Sequence, residues 1–244
     1  MHGADDRLAT MAVAGLTGGL LLSPATLLRP PSGVWPLVAL SGLVEAVYGG
    51  LLVAAYRRGS LAVAYPIGRG TAPLLVTLGS WAVLGQRPGP VALAGTVALA
   101  GGLVLIARVG GRTGQGAAVG FAVATGTAIA GYSVIDALAV RHASAPGYLG
   151  AVLLVQGGVL ALACGPTATA RLRAVLRPGA PVGAGVVAAY LLVLLAFQRA
   201  DAGRVATLRE VSVLLAVAWS GARRDAATWA GAVLVVAGAV AAAA

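Results

Sequence analysis

The 244 residues carry 59% hydrophobic and only 10% charged side chains, with a mean hydropathy of +0.92, too little polar surface to cover a water-soluble domain. The formal net charge of +10 comes from 17 arginines and no lysine, scattered singly and in pairs between apolar runs, a pattern that excludes a nucleic-acid partner. A single cysteine, Cys164, rules out an internal disulfide and a cysteine metal cluster.

A lipid core about 30 Å thick takes about 20 apolar helical residues. The chain offers such runs one after another: Leu8–Leu28, Trp35–Tyr56, Leu61–Leu84 and Val91–Ala107 before a glycine-rich joint, then Ala117–Val140, Gly147–Gly165, Val182–Gln198, Arg204–Gly221 and Ala226–Ala243. The expected fold class is an all-α integral membrane protein of about nine transmembrane helices. Continuous apolar runs without period-two alternation disfavour a β-barrel. A cleaved signal peptide over residues 1–28 is disfavoured by Asp5 and Asp6, which spoil a positive leading segment. The joints RRGS (57–60) and GQRPGP (85–90) leave no room for a soluble domain, and GGRTGQG (110–116) reads as a linker because no strand precedes it. Counted on alternating sides, the loop arginines divide ten against five, which favours a cytoplasmic N-terminus.

Internal similarity divides the chain into a first half at 1–109, the linker at 110–116 and a second half at 117–244. AYRRGSLAVAYPIGRGTAPLLV (55–76) falls on AFQRADAGRVATLREVSVLLA (196–216), so that Arg69 corresponds to Arg209. Ser80 and Ser220 each lie eleven residues after their arginine, and each copy closes with a small-residue helix, ALAGTVALAGGLVLI and TWAGAVLVVAGAVAAA.

AYPIGRGTAPLLVTLGSWAVLGQR with its glycine-spaced following helix, the repeated pattern around Arg209, and GYSVIDALAVRHASAPGYL (131–149) together resemble the EamA-like branch of the drug/metabolite transporter superfamily, with more distant similarity to the small multidrug resistance proteins. The resemblance covers most of the chain. It implies ten helices in two five-helix halves of opposite orientation, with a substrate site between the halves near the midplane. The family's first helix has no counterpart here, because MHGADDRLA reads as the loop that would follow it, leaving nine helices in two inverted repeats. Family topology with that helix restored would put Arg57 and Arg58 outside, against the arginine count, and the orientation stays open.

An ionised side chain at the bilayer centre costs about 2.5–3.5 kcal/mol on insertion scales, so charges within spans are expected to face the interior. They are Glu45, Arg69, Asp136, Arg209 and Glu210. Measured from a turn near Arg58, Glu45 lies about 20 Å deep and Arg69 about 16 Å, so antiparallel neighbours let them meet. That pair is either a permanent lock or a switch in which an anionic substrate group or protonation releases Arg69. Arg209 faces Tyr190, not an acid, at matching depth, which points it towards the ligand. Glu210, rotated about 100° from Arg209 on a helix, is expected on a different face, towards another helix. Asp136, near a span end, either snorkels to the interface or carries a proton.

Tyr65 and Tyr132, one turn before Arg69 and Asp136, are candidate cavity aromatics or interface anchors. Gln156 can bond a substrate or a neighbouring helix. Pro66, Gly68, Gly70 and Pro73 weaken the helix around Arg69, for ligand contact or for a packing kink. His2 and His142 are remote from each other in sequence and lie at span ends, which gives no metal site, and neither a cofactor motif nor a catalytic constellation is present. The reading is therefore no enzyme but a multi-pass carrier of the inner (plasma) membrane. It probes as an exporter of a small polar metabolite, an amino acid or another carboxylate- or phosphate-bearing compound, by alternating access with protons as candidate coupling partner. The alternative is a non-transporting membrane scaffold or truncated remnant; the oligomeric state is not encoded legibly.

Overall fold

A computed structural model describes residues 6–58, 61–110, 116–212 and 226–243, and among these every regular element is helical. In chain order they are α1 (Arg7–Leu21), α2 (Ser23–Leu28), α3 (Trp35–Arg58), α4 (Leu61–Leu84), α5 (Pro90–Gly110), α6 (Gly116–Ala139), α7 (Ala145–Ala163), α8 (Ala168–Phe197), α9 (Ala202–Arg209) and α10 (Ala226–Ala243). Among the described residues four stretches are long and apolar enough to cross a membrane: Trp35–Ala55, Val119–Ala139, Ala145–Ala163 and Gly165–Phe197. Large apolar side chains such as Leu27, Leu28 and Leu162 point outward, as lipid-facing positions do.

Three of the expected runs are cut differently from the sequence reading. The first divides at Leu22, because Pro24 has no N–H for the carbonyl of Leu20; the Ser23 hydroxyl takes that acceptor at 2.7 Å. At its other end, Asp6 accepts from the Ala9 amide and caps α1. The seventh run begins at Ala168, not Val182. Pro178 and Pro181 lie inside α8, with Pro178 on an exposed face, and the early turns are held by Arg171, whose guanidinium meets the Asp6 carboxylate at 2.6 and 2.8 Å. The eighth run is interrupted at Glu210 after two turns, with helix again at 211–212. The Glu210 amide bonds back to Thr207, a tightened turn, and the Ser212 hydroxyl takes the carbonyl of Arg209. Ser220, the close of that run and the ARRD joint (222–225) lie outside the described residues, as do 111–115 of the linker.

The chain forms two compact units. The first contains residues 1–53 and 135–199, the second 54–134 and 200–244, so each takes a piece from both sequence halves. In the first unit α1 packs on α7 and α8 through small residues, with Gly15 against Gly157 and Gly183 against the carbonyl of Ala14. A side chain at any of them would meet backbone. Short contacts of this kind replace the hydrophobic drive that lipid removes.

In the second unit α5 packs along α10, and α4 on α5 and α9. Gly95 lies against Gly238, and Gly102 lies against Gly231. The spacing is seven residues on both helices, so the small positions meet in antiparallel register. A Cβ on Gly102 would come within 2.6 Å of the Gly231 carbonyl oxygen, whereas one on the adjacent Gly101 would meet nothing within 4 Å. Gly102→Ala is therefore expected to destabilise the protein by about 1–3 kcal/mol, and Gly101→Ala to raise stability by about 0.5–1 kcal/mol through helix propensity. Thermal unfolding of the two variants in detergent checks this, and equal effects would remove the close glycine crossing from the account.

Candidate binding and translocation site

The second unit holds a buried charge cluster. Arg69 lies on α4, whose Pro73 has no N–H to offer the Arg69 carbonyl and whose Gly68 and Gly70 let α6 and α5 approach closely. Its Nε sits 2.7 Å from Oε2 of Glu210, the residue at which α9 ends. Arg209 occupies the last turn of α9, where the helix dipole favours a cation, and its Nε lies 3.6 Å from Oε1 of the same carboxylate. Two guanidinium groups thus converge on one acid. The arginine side chains keep 18% and 13% of their surface exposed and the Glu210 side chain none, so whatever reaches the cluster meets cations first.

Glu210 stands against Arg69 within the second unit, while Glu45 is buried on α3 in the first. One expectation is corrected here. Arg209 and Glu210 also reach each other despite the 100° helical offset, because α9 ends between them and the turn at Glu210 folds its carboxylate back.

In the same unit, α5 and α9 are joined by buried hydroxyls. Thr96 and Thr207 share a hydrogen bond of 3.2 Å, and Thr207 donates to the Gly203 carbonyl at 2.8 Å. Gln86 accepts from the Ala202 amide at 3.1 Å, fastening the α4–α5 joint to the start of α9.

In the first unit the organising group is Asp136. It is fully buried in the last turn of α6 and accepts from three hydroxyls on three other helices: Ser41 of α3 at 2.5 Å, Tyr148 of α7 at 2.7 Å, and Tyr190 of α8. The short α6–α7 joint brings Tyr148 back beside Asp136, and Gln198 closes the same end by donating to the Val140 carbonyl at 2.9 Å. Asp136 therefore does not snorkel. Its position near a span end suggested interfacial solvation, but packing of four helices around it supplies hydroxyl donors instead of water. Tyr190, expected opposite Arg209, is one of those donors.

Tyr132 is buried one turn before Asp136, and Gln156 is half-buried on α7 with its amide oxygen beside Gly15 of α1. Tyr65 lies in α4, and its side chain falls outside the described residues. Ser41 and Tyr148 were missed by sequence reasoning. A serine in an apolar run carries little signal, but the twelve-residue separation of Asp136 and Tyr148 across a short joint was a usable one. Tyr190→Phe and Ser41→Ala are each expected to cost about 1.5–3 kcal/mol, the range for a hydrogen bond to a charged group. Because both act on one carboxylate, their double variant should depart from additivity. Denaturation of the four proteins in detergent measures this; single losses within about 0.5 kcal/mol of wild type would demote the network to incidental contact.

Residues 4–108 match the EamA-like transporter family. A crystal structure described only as that of a protein superposes with a TM-score of 0.71 at 24% identity, over 98% of this chain and 88% of the other. At that identity the likeness concerns the fold alone. No curated protein matches the sequence. The apolar helices, with the match over 4–108, make this a multi-pass helical membrane protein, of which the stretch 4–108 is similar to the EamA-like transporter family.

Proposed function

We propose that this protein is a secondary transporter of the inner (plasma) membrane that exports a small polar metabolite bearing a carboxylate or phosphate, such as an amino acid, by alternating access between two inverted halves. The observation that carries the reading is the convergence of Arg69 and Arg209 on buried Glu210. In an apolar surrounding such a cluster is poor value as a stabiliser, since well-packed hydrophobic groups often do as well. Its guanidinium groups match carboxylate and phosphate oxygens in geometry and charge.

Duplication as inverted halves, 1–109 and 117–244, is supported by the packing inside the second unit. Gly95 and Gly102 of the first half correspond by position to Gly231 and Gly238 of the second, and each glycine lies against the partner of the other. Reciprocal contact of equivalent positions is what a two-fold relation between repeats produces. α4 and α9, which carry the corresponding arginines, are likewise neighbours.

In the empty carrier Glu210 holds both arginines. An anionic substrate group competes for them, and a proton taken up by Glu210 leaves them to the substrate, which couples the two fluxes. Asp136 is a second proton-carrying candidate, set among hydroxyls that can donate or accept as its charge changes.

Uptake of labelled amino acids and organic acids into proteoliposomes tests this. Arg69→Gln and Arg209→Gln are each expected to cut uptake at least tenfold, and Glu210→Gln to remove stimulation by an imposed pH gradient. Full uptake in both arginine variants would take these residues out of the mechanism, and absence of uptake of any solute by the wild type would favour the scaffold reading.

A further inference from the structure

The second unit has a polar pocket apart from the arginine cluster, where the α4–α5 joint meets the start of α9. Its volume is about 40 Å³, against a minimum of about 10–15 Å³ for one water. Arg87 and Arg204 contribute cations to its wall and Asp201 one carboxylate, an excess of one positive charge. The pocket also takes in the first turn of α9, whose amides carry the positive end of the helix dipole. Asp201 stands at the N-cap but its side chain makes no capping hydrogen bond; Gln86 takes the Ala202 amide and the Asp201 carbonyl that of Val205, which leaves the amides of Gly203 and Arg204.

The second observation is Thr77. The residue lines the pocket and is 4% exposed, and its hydroxyl oxygen is buried with no hydrogen-bond partner. That hydroxyl faces the α9 backbone where Gly203 has no side chain; a Cβ there would come within 2.6 Å of it. A buried hydroxyl without a partner carries a desolvation penalty. Here it stands beside two guanidinium groups and a helix N-terminus, all of which suit the same kind of ligand.

We infer that this pocket binds a small oxyanion, a carboxylate or phosphate group, at the α4–α5 joint of the second unit, with the Thr77 hydroxyl and the amides of Gly203 and Arg204 donating and Arg87 and Arg204 supplying charge. Thr77 lies eight residues from Arg69 along α4, about 12 Å of helix, so the pocket and the arginine cluster are separate stations on the same helices. The assignment goes beyond transport and does not depend on it, since its readout is binding.

The probe is inorganic phosphate, titrated against chloride at matched ionic strength into the purified full chain in phosphatidylcholine nanodiscs, followed by calorimetry and thermal unfolding. Saturable binding is expected. Thr77→Val should weaken it at least fivefold while raising the melting temperature of the phosphate-free protein, because the lost hydroxyl was unpartnered. Arg87→Gln should weaken it at least tenfold, and Arg173→Gln, at an exposed arginine of α8 in the first unit, should leave affinity within twofold. Replacing phosphatidylcholine by phosphatidylglycerol distinguishes sources: competition by the anionic lipid assigns the site to headgroup phosphate, and unchanged affinity assigns it to a soluble solute. Absence of saturable binding in phosphatidylcholine overturns the proposal. So does loss of binding in Arg69→Gln with retention in Thr77→Val and Arg87→Gln, which would move the anion to the arginine cluster.

Discussion

A charge taken out of water must be answered by another group, and in this chain the answer at Glu210 shapes the surrounding backbone. The carboxylate reaches Arg69 and Arg209 because α9 stops at residue 209 and the next residue turns. A continuous helix would carry Glu210 about 100° away from its neighbour. The break leaves carbonyls without amides, and the Ser212 hydroxyl takes one of them. Around Arg69, Pro73 and the two glycines likewise interrupt or thin the helix that presents the other cation. Irregular backbone and charge therefore coincide on both helices, as they do where a membrane protein lines a cavity instead of facing lipid.

Close approach of the helices depends on an absence of side chains. Lipid gives apolar side chains nothing to escape, so helix association draws on dispersion and on contacts at short range. Gly95, Gly102, Gly231 and Gly238 bring α5 and α10 together until backbone meets backbone, and Gly15 and Gly157 do the same for α1 and α7. Positions one residue away, such as Gly101, have open space. The value of a glycine here is local to the seam, which is why a count of 36 glycines in the sequence could not locate it.

The helical class and most element boundaries were legible because a bilayer imposes a length and a polarity on each segment. The importance of Arg69 and Arg209 was legible for the same reason, as isolated cations in apolar runs. Partnership was not. Depth arithmetic compares sequence neighbours across a turn and so could not reach Glu210, which meets Arg69 because α4 packs on α9 and which lies 141 residues later. The break at Glu210 has no proline or glycine to announce it. The reverse error occurred in α8, where two prolines and three arginines read as a loop although an ion pair between Arg171 and Asp6 holds the early turns in helix. The reading of Asp136 as snorkelling failed because burial depends on what packs around a span end, and three hydroxyl donors come from three separate helices.

The two buried acids are satisfied by different chemistry, and the difference bears on what each can do. Asp136 is met by neutral hydroxyls, each of which has both a proton to give and lone pairs to accept one. If its charge changes, Ser41, Tyr148 and Tyr190 can reorient without moving a helix, so the network tolerates either state of the acid. Glu210 is met by guanidinium groups, which only donate and do not lose their protons. If its charge changes, Arg69 and Arg209 lose a carboxylate acceptor and cannot compensate by accepting a proton in their turn. The hydroxyl cluster is thus suited to holding four helices together through changes of protonation, and the arginine cluster to converting such a change into binding.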